Sequence, residues 1–507
     1  MITEKQTKLS LQPPVRPIYL MRIMIHKMAL KSSCRLLLVL PLLLLTSFGC
    51  QPMATSGLQA TGMMAEPARE SIHTARLSLF LNLSKFDVSG IRLEIANLEI
   101  LVDGAWLPVA AGSRELDSKK IADTQLFLGG RAVPPGICQG LRFTVTKGSV
   151  LRDTGKYESV SLEPFAVNLE LPSPLSLAPN DSRSLFLAWD VQDTLDREGL
   201  RPVMTIAPQI KQILADLVYA ACPDIDTIFV IRSDKNWVAD SFGVKGRPTY
   251  LAMDPDPDRR RLFVLARGES AIKVVELSSQ RVIDSFHLSL TDIPDFMTIS
   301  SDGRWAYVLE ERGGYLSRID LISGGIAARV RIGQRPQYAS YLAEQQLLAV
   351  SSTLSQKVLL LHPLELSEVR TILVGNAPQG LVVAGNQLYV AETGEHTVSV
   401  FDLATNRSRI RLDVGFGPRR LLDTGSSIYV SNYESGSLSV LLPEMPGVVR
   451  EVHGLGRPLE MIFDQDRRLI YVGEEQAAGL AVIDSVSNEL VGRIPLGARP
   501  SGLAILQ

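Results

Sequence analysis

The chain has 507 residues, 46% of them hydrophobic and 21% charged, with 52 Lys and Arg against 54 Asp and Glu. Residues 1–50 hold seven of the basic groups and one of the acidic, so the remainder carries 45 against 53, a net of −8. A mildly acidic body has no general electrostatic pull toward nucleic acid, and that class of partner is not expected.

The first fifty residues read as targeting. Lys27, Lys31 and Arg35 precede an apolar run from Leu36 to Leu45, and Thr46-Ser47-Phe48-Gly49-Cys50 follows. A basic region, a short apolar core and a small residue at the cut describe a secretory signal over residues 1–50. The run is too short for a comfortable transmembrane helix. A start at Met21, Met24 or Met28 gives a basic region of more ordinary length. Cys50 directly after Gly49 resembles the end of a bacterial lipobox, with Ser47 where that motif usually has Leu. The resemblance implies lipid on Cys50 and a membrane-anchored lipoprotein of the cell envelope. Gln51 is compatible with the outer membrane or periplasm if the cell is Gram-negative. The alternative is ordinary cleavage nearby, which leaves a free exported protein.

Residues 51–70 are small and polar and read as a flexible tether. Strands begin at Arg76–Leu81 and continue at Ile91–Ile100, Leu141–Thr146, Phe165–Leu171 and Ser184–Trp189. Several alternate apolar with polar and no long helical period intervenes, so residues 71–212 are predicted to form a β-sandwich. Val133-Pro134-Pro135-Gly136-Ile137, Gln139-Gly140-Leu141-Arg142-Phe143, Asp190 after an apolar strand and Arg201-Pro202-Val203 resemble a domain of unknown function found on bacterial lipoproteins. That resemblance implies no chemistry.

Residues 213–507 repeat. Pro248, Pro294, Pro336, Pro378, Pro418, Pro458 and Pro500 recur at spacings of 40 to 46 residues, each opening an apolar strand. Several short strands per unit at this period mark β-propeller blades. Six full units lie between Pro248 and Pro500. Leu217–Ala220, Asp226–Ile231 and Trp237–Val244 supply the second, third and fourth strands of a seventh, and Ser501–Leu506 supplies its first. The prediction is an all-β chain in which the sandwich precedes a seven-bladed propeller closed by the C-terminal strand, leaving no open sheet edge. Tyr389 to Pro418, with Thr397-Val398-Ser399-Val400-Phe401-Asp402 and Ala404-Thr405-Asn406, resembles the YVTN family of propeller repeats. Leu347-Leu348-Ala349-Val350 replaces the Tyr-Val strand in one unit, which is expected to be less regular.

Arg247, Arg335, Arg457 and Arg499 stand just before their marker prolines, and Arg419 just after its own. The link into a first strand lies at the mouth of a propeller's channel. Guanidinium forks there suit carboxylate, phosphate or acidic glycan. The competing role is structural, each arginine bonding loop carbonyls of the adjacent blade. Asp254-Pro255-Asp256-Pro257-Asp258 lacks the glycine and distal glutamate of a calcium loop and reads as a solvated turn. Asp320, Asp402 and Asp484 read as turn anchors. His287, His362, His396 and His453 lack metal-ligand spacing. Trp237 and Trp305 are expected to pack between blades. Neither a cofactor nor a metal is expected. Cys138 and Cys222 are two cysteines of an exported chain that either pair or serve as small buried apolar residues.

The function expected is a non-catalytic binding or scaffold protein of the envelope, with a protein, glycan or small anionic partner. The alternative is an enzyme, since the resemblance extends to propeller lactonases and cofactor-dependent oxidoreductases. Glu310, Glu392 and Glu474, just after second strands, are the acids such chemistry would draw on; a polar rim is their competing role.

Overall fold

The computed structural model describes residues 74–84, 90–195, 199–209, 216–290, 293–405, 407–443 and 445–506. The expected signal, the lipidated Cys50 and the tether lie outside the described residues.

Residues 75 to 207 form two facing sheets. One runs in the order Val203–Ala207, Ser182–Asp190, Ala75–Leu83, Leu126–Val133, with Ala75–Leu83 parallel to Ser182–Asp190. The other is built on the long strands Ile91–Val102 and Gly136–Leu151, flanked by Ala105–Pro108, Arg114–Asp117, Tyr157–Val160 and Phe165–Leu177. Leu79, Leu93, Leu141, Phe143, Leu185 and Trp189 fill one core between them. Every strand expected in this region lies within one of these. Pro134 and Pro135 carry the chain from one sheet to the other, a place where no ladder needs their missing N–H. Gly136 then passes so close to Asp103 that a Cβ would lie 2.1 Å from its carboxylate.

Seven four-stranded antiparallel sheets follow among the described residues and are numbered as blades. Blade 1 joins Leu217–Cys222, Thr227–Arg232 and Trp237–Gly243 to the C-terminal strand Gly502–Leu506, as the repeat predicts. The first strands of blades 2 to 7 begin at the six prolines from Pro248 to Pro458. Each innermost strand touches the next, and Gly502–Leu506 touches both Pro248–Met253 and Pro458–Asp464, so the ring closes. The unit without a Tyr-Val strand is still a complete four-stranded blade 4.

The apolar code explains the layering. Second and third strands, such as Ile428–Asn432 and Ser437–Leu441, are buried on both faces because blades sandwich them. Fourth strands, such as Arg407–Asp413, are largely exposed, except Trp237–Gly243 of blade 1, which is buried against the sandwich. The repeated tyrosine fastens one blade to the next: Tyr429 and Tyr471 donate to Asn488 and Asn236 at 2.6 and 2.7 Å, and Tyr307 stacks on Tyr341.

The sandwich is fused to blade 1. Phe80 packs against Phe127 and Phe186 of its own domain and against Phe229 of the blade. Gln125 grips Val238 twice, donating to its carbonyl at 3.1 Å and accepting from its N–H at 3.0 Å. Ser184 and Ser241 bond at 2.8 Å, as do Thr227 and Ser182. Gly243 lets Asn180 approach, since a Cβ there would lie 2.0 Å from the Asn180 carbonyl oxygen. Each buried phenylalanine contributes about 1.5–3 kcal/mol, so the seam is a packed core and not a hinge.

Candidate functional site

The residue before the marker proline sits in the left-handed region in several links, at φ near 55° in Arg247, Arg335, Ala377 and Arg457. A side chain there costs about 1–2 kcal/mol, and it turns the arginine onto the rim of the channel. The rim is not a bare positive ring. Arg335 donates to Glu311 at 2.6 and 2.9 Å. Arg499 bridges Asp224 at 2.9 Å and Glu475 at 3.3 Å, and Arg247 reaches the same Asp224 at 3.5 Å. These three bind acids from the turns after second strands, so the structural role expected of them is present with carboxylates in place of loop carbonyls.

Arg419 and Arg457 differ. Both lie over the ring of Tyr433, at 3.6 and 5.4 Å from its centre. Neither has a hydrogen-bonded or ion-paired carboxylate among the described residues. Tyr433 donates to Glu475, which holds the ring upright. Burial is the main cause lowering the Arg419 guanidinium below its ordinary value, and neighbouring Arg420 lowers it further. The nearby Tyr433, Glu475 and Glu434 oppose that shift, but neither carboxylate is ion-paired with it, and a partly desolvated cation that lacks a contact ion pair gains more from an incoming anion than a solvated one does.

The channel floor is set two residues after each marker proline. The seven positions are Tyr250, Phe296, Tyr338, Gly380, Arg420, Glu460 and Gly502. Tyr250, Phe296 and Tyr338 form an aromatic arc, with ring centres 4.3 and 4.5 Å apart. Arg420 reaches across to it, 5.0 Å from Tyr338, while its Nε donates to Glu460 at 3.2 Å. The glycines let inner strands close up: a Cβ on Gly380 would lie 2.5 Å from the Arg419 oxygen, and one on Gly502 2.8 Å from that of Thr249. One nitrogen of Arg420, Nη1, is buried without a partner among the described residues. Sequence reasoning missed this floor, although counting two places on from each proline finds it.

Glu310, Glu392 and Glu474 do not form a rim. All three are fully buried at the ends of second strands. Glu392 accepts from Gly375 N–H and Thr397 Oγ1 at 2.6 and 2.7 Å and pairs with Arg411. Glu474 accepts from Gly456 N–H and pairs with Arg493, and Glu310 accepts from Ser317 and Arg329. Each acid ties its second strand to the third or fourth strand of its blade, and Glu392 and Glu474 also fasten the link that leads into that blade's first strand.

The possible disulfide does not form. Cys138 and Cys222 are free and buried in different cores, one inside the sandwich and one at the seam. Burial pushes the Cys138 thiol up to about 11. Asp254 and Asp256 cap their own turn, accepting from the N–H groups of Asp256 and Asp258. Asp320, Asp402 and Asp484 accept from turn amides at 2.7 to 2.9 Å. Trp305 carries Arg304 and Arg318 on its ring. His396 accepts the Gly417 N–H, and His362 and His453 pair with Glu365 and Glu451. No group of three or more His, Cys, Asp or Glu side chains converges as a metal site among the described residues.

No protein-family model and no curated protein matches the chain. Solved structures do. A protein of unknown function from Desulfotomaculum acetoxidans is 13% identical with a TM-score of 0.51, over 57% of this chain and 98% of that one. Dihydro-heme d1 dehydrogenase NirN in complex with DHE is 14% identical with a TM-score of 0.45, over 57% of this chain and 65% of that one. Kuenenia stuttgartiensis hydrazine synthase is 18% identical with a TM-score of 0.44, over 50% of this chain and 88% of that one. At these identities the likeness concerns fold alone, and the fold is that of a β-propeller protein.

Proposed function

We propose that the chain is an exported binding protein of the cell envelope that takes an anionic group at the mouth of its propeller. The observation that carries this reading is the pair Arg419 and Arg457 on Tyr433, two cations at the rim with no carboxylate hydrogen-bonded or ion-paired to either among the described residues. The floor beneath them is filled by Arg420, Glu460 and the aromatic arc, which favours capture at the mouth over passage through the channel. The signal-like residues 1–50 and the lipobox-like Cys50 support export and a lipid anchor, and the unit at Tyr389 supports a YVTN-type repeat. The sandwich, whose motifs resemble those of lipoprotein domains, then acts as a pedestal, a role its packed seam with blade 1 supports.

The test is a thermal shift with inorganic phosphate. A ligand that binds only the native state raises its melting temperature by mass action. The rise is expected in the wild type and in R335A, whose arginine already has Glu311. It is expected to vanish in R419A/R457A. An equal rise in all three proteins contradicts the site.

A further inference from the structure

The link into blade 6 departs from the other links, and it meets a turn that carries an aromatic side chain. Two residues before the marker proline the other described links have Gly246, Gln334, Asn376, Gly456 and Ala498, whereas the link into blade 6 has Phe416. In the same link the arginine has moved from before the proline to after it, giving Phe416-Gly417-Pro418-Arg419. The turn after the second strand of this blade carries the aromatic Tyr433, where the other blades have Pro223, Arg267, Glu311, Thr353, Thr393 and Glu475. Departures from a repeat that the scaffold does not need are where a repeat protein carries its specificity.

Phe416 is 61% exposed, yet its surroundings are fixed. Its carbonyl accepts from Glu434 N–H at 3.1 Å, and the next carbonyl, of Gly417, accepts from Tyr433 N–H at 3.0 Å. The edge of His396 meets its ring at 5.0 Å and 86°. Gly417 itself, at φ 67°, donates to Nδ1 of that histidine. A large apolar ring is thus held out to solvent on the link that leads into the strand of Arg419. The exposed side chain of Glu434 lies beside the same link, where a Cβ on Gly417 would lie 2.8 Å from its Cγ.

We infer that the anion taken at this mouth is an acidic saccharide, its charged group on Arg419 and Arg457, the apolar face of its ring on Phe416 and its hydroxyls on the Glu434 carboxylate. The inference rests on the anion-binding reading above and adds the ring. An aromatic carboxylate shares the charge and the flat face but has no hydroxyl to donate to Glu434, so it lacks that contact. A bare inorganic anion uses the arginines alone.

The experiment is calorimetric titration of the purified protein with D-glucuronate, D-glucose, benzoate and inorganic phosphate. Glucuronate is expected to bind most tightly. Phe416→Ala is expected to weaken glucuronate about three- to tenfold, the range of one aromatic contact, and to leave phosphate unchanged; Phe416→Trp is expected to restore it. Glucuronate no tighter than phosphate, or indifferent to Phe416→Ala, overturns the saccharide while phosphate binding leaves the anion site standing. Benzoate tighter than glucuronate also overturns it. Phosphate and glucuronate both unchanged in R419A/R457A overturn the site itself, and binding of none of the four probes overturns both.

Discussion

Arg420 and Glu460 stand on the first strands of neighbouring blades and pair across the channel floor, Nε to Oε2, at 3.2 Å. The same guanidinium lies 5.0 Å from the ring of Tyr338, two blades away on the other side. Burial raises the Glu460 carboxyl, and the charge of Arg420 opposes that shift.

Removing one partner of this pair strands the other. Glu460→Ala is expected to cost about 2 kcal/mol, less than the roughly 3–5 kcal/mol of a fully enclosed pair because the channel admits some solvent. The double variant R420M/E460M is expected to be closer to wild type than Glu460→Ala is. Urea unfolding of all three proteins checks the order. A double variant weaker than the single one would contradict the pairing.

Closure makes the ring one cooperative unit. Deleting residues 500–507 removes the first strand of blade 1 and opens the edge of Leu217–Cys222. The expected outcome is a lower melting temperature for the whole propeller in a single transition. Loss of signal from blade 1 alone, with the rest melting as before, would show the ring to be modular.

The seam between sandwich and propeller depends on glycine. Gly243→Val places side-chain atoms where Asn180 and Ser182 now lie. Overpacking of this kind costs about 1–3 kcal/mol, and it acts between the domains. Scanning calorimetry is expected to resolve one transition into two. A uniform shift of a single peak would place the strain inside blade 1.

The same seam region titrates. Burial raises Asp240 above its ordinary 3.8, although its carboxylate accepts from Ser241 N–H and Gln209 Nε2. A carboxyl raised in the folded state contributes stability that is fully present below the unfolded value and lost as pH rises through the folded one. Asp240→Asn is therefore expected to match wild type near about pH 3 and to become the more stable protein as pH rises toward about 7. Melting temperatures across that range decide it, and a constant difference would contradict the shift.

The strands were legible because Pro248 and its successors keep their spacing, and the closing strand because Ser501–Leu506 repeats a first strand without a second. What each rim arginine bonds was not legible. Arg335 and Arg457 share a repeat position, yet only Arg335 faces a glutamate, because the neighbouring turn changes from Glu311 to Tyr433. Glu310, Glu392 and Glu474 looked exposed because they end strands, but all three are buried, and the link that opens the same blade bonds Glu392 and Glu474. The cysteines looked pairable because nothing in their spacing records that Cys138 and Cys222 enter different cores. The parallel pairing of Ala75–Leu83 with Ser182–Asp190 joins segments about a hundred residues apart, which no local pattern announces.

The most direct measurement is an anomalous difference map from crystals soaked in selenate, a scatterer with the shape and charge of sulfate. The strongest peak is expected at the channel mouth, against Arg419 and Arg457 and away from the Arg335–Glu311 pair. A mouth without a peak, or a peak at Arg335 alone, would contradict the proposed site.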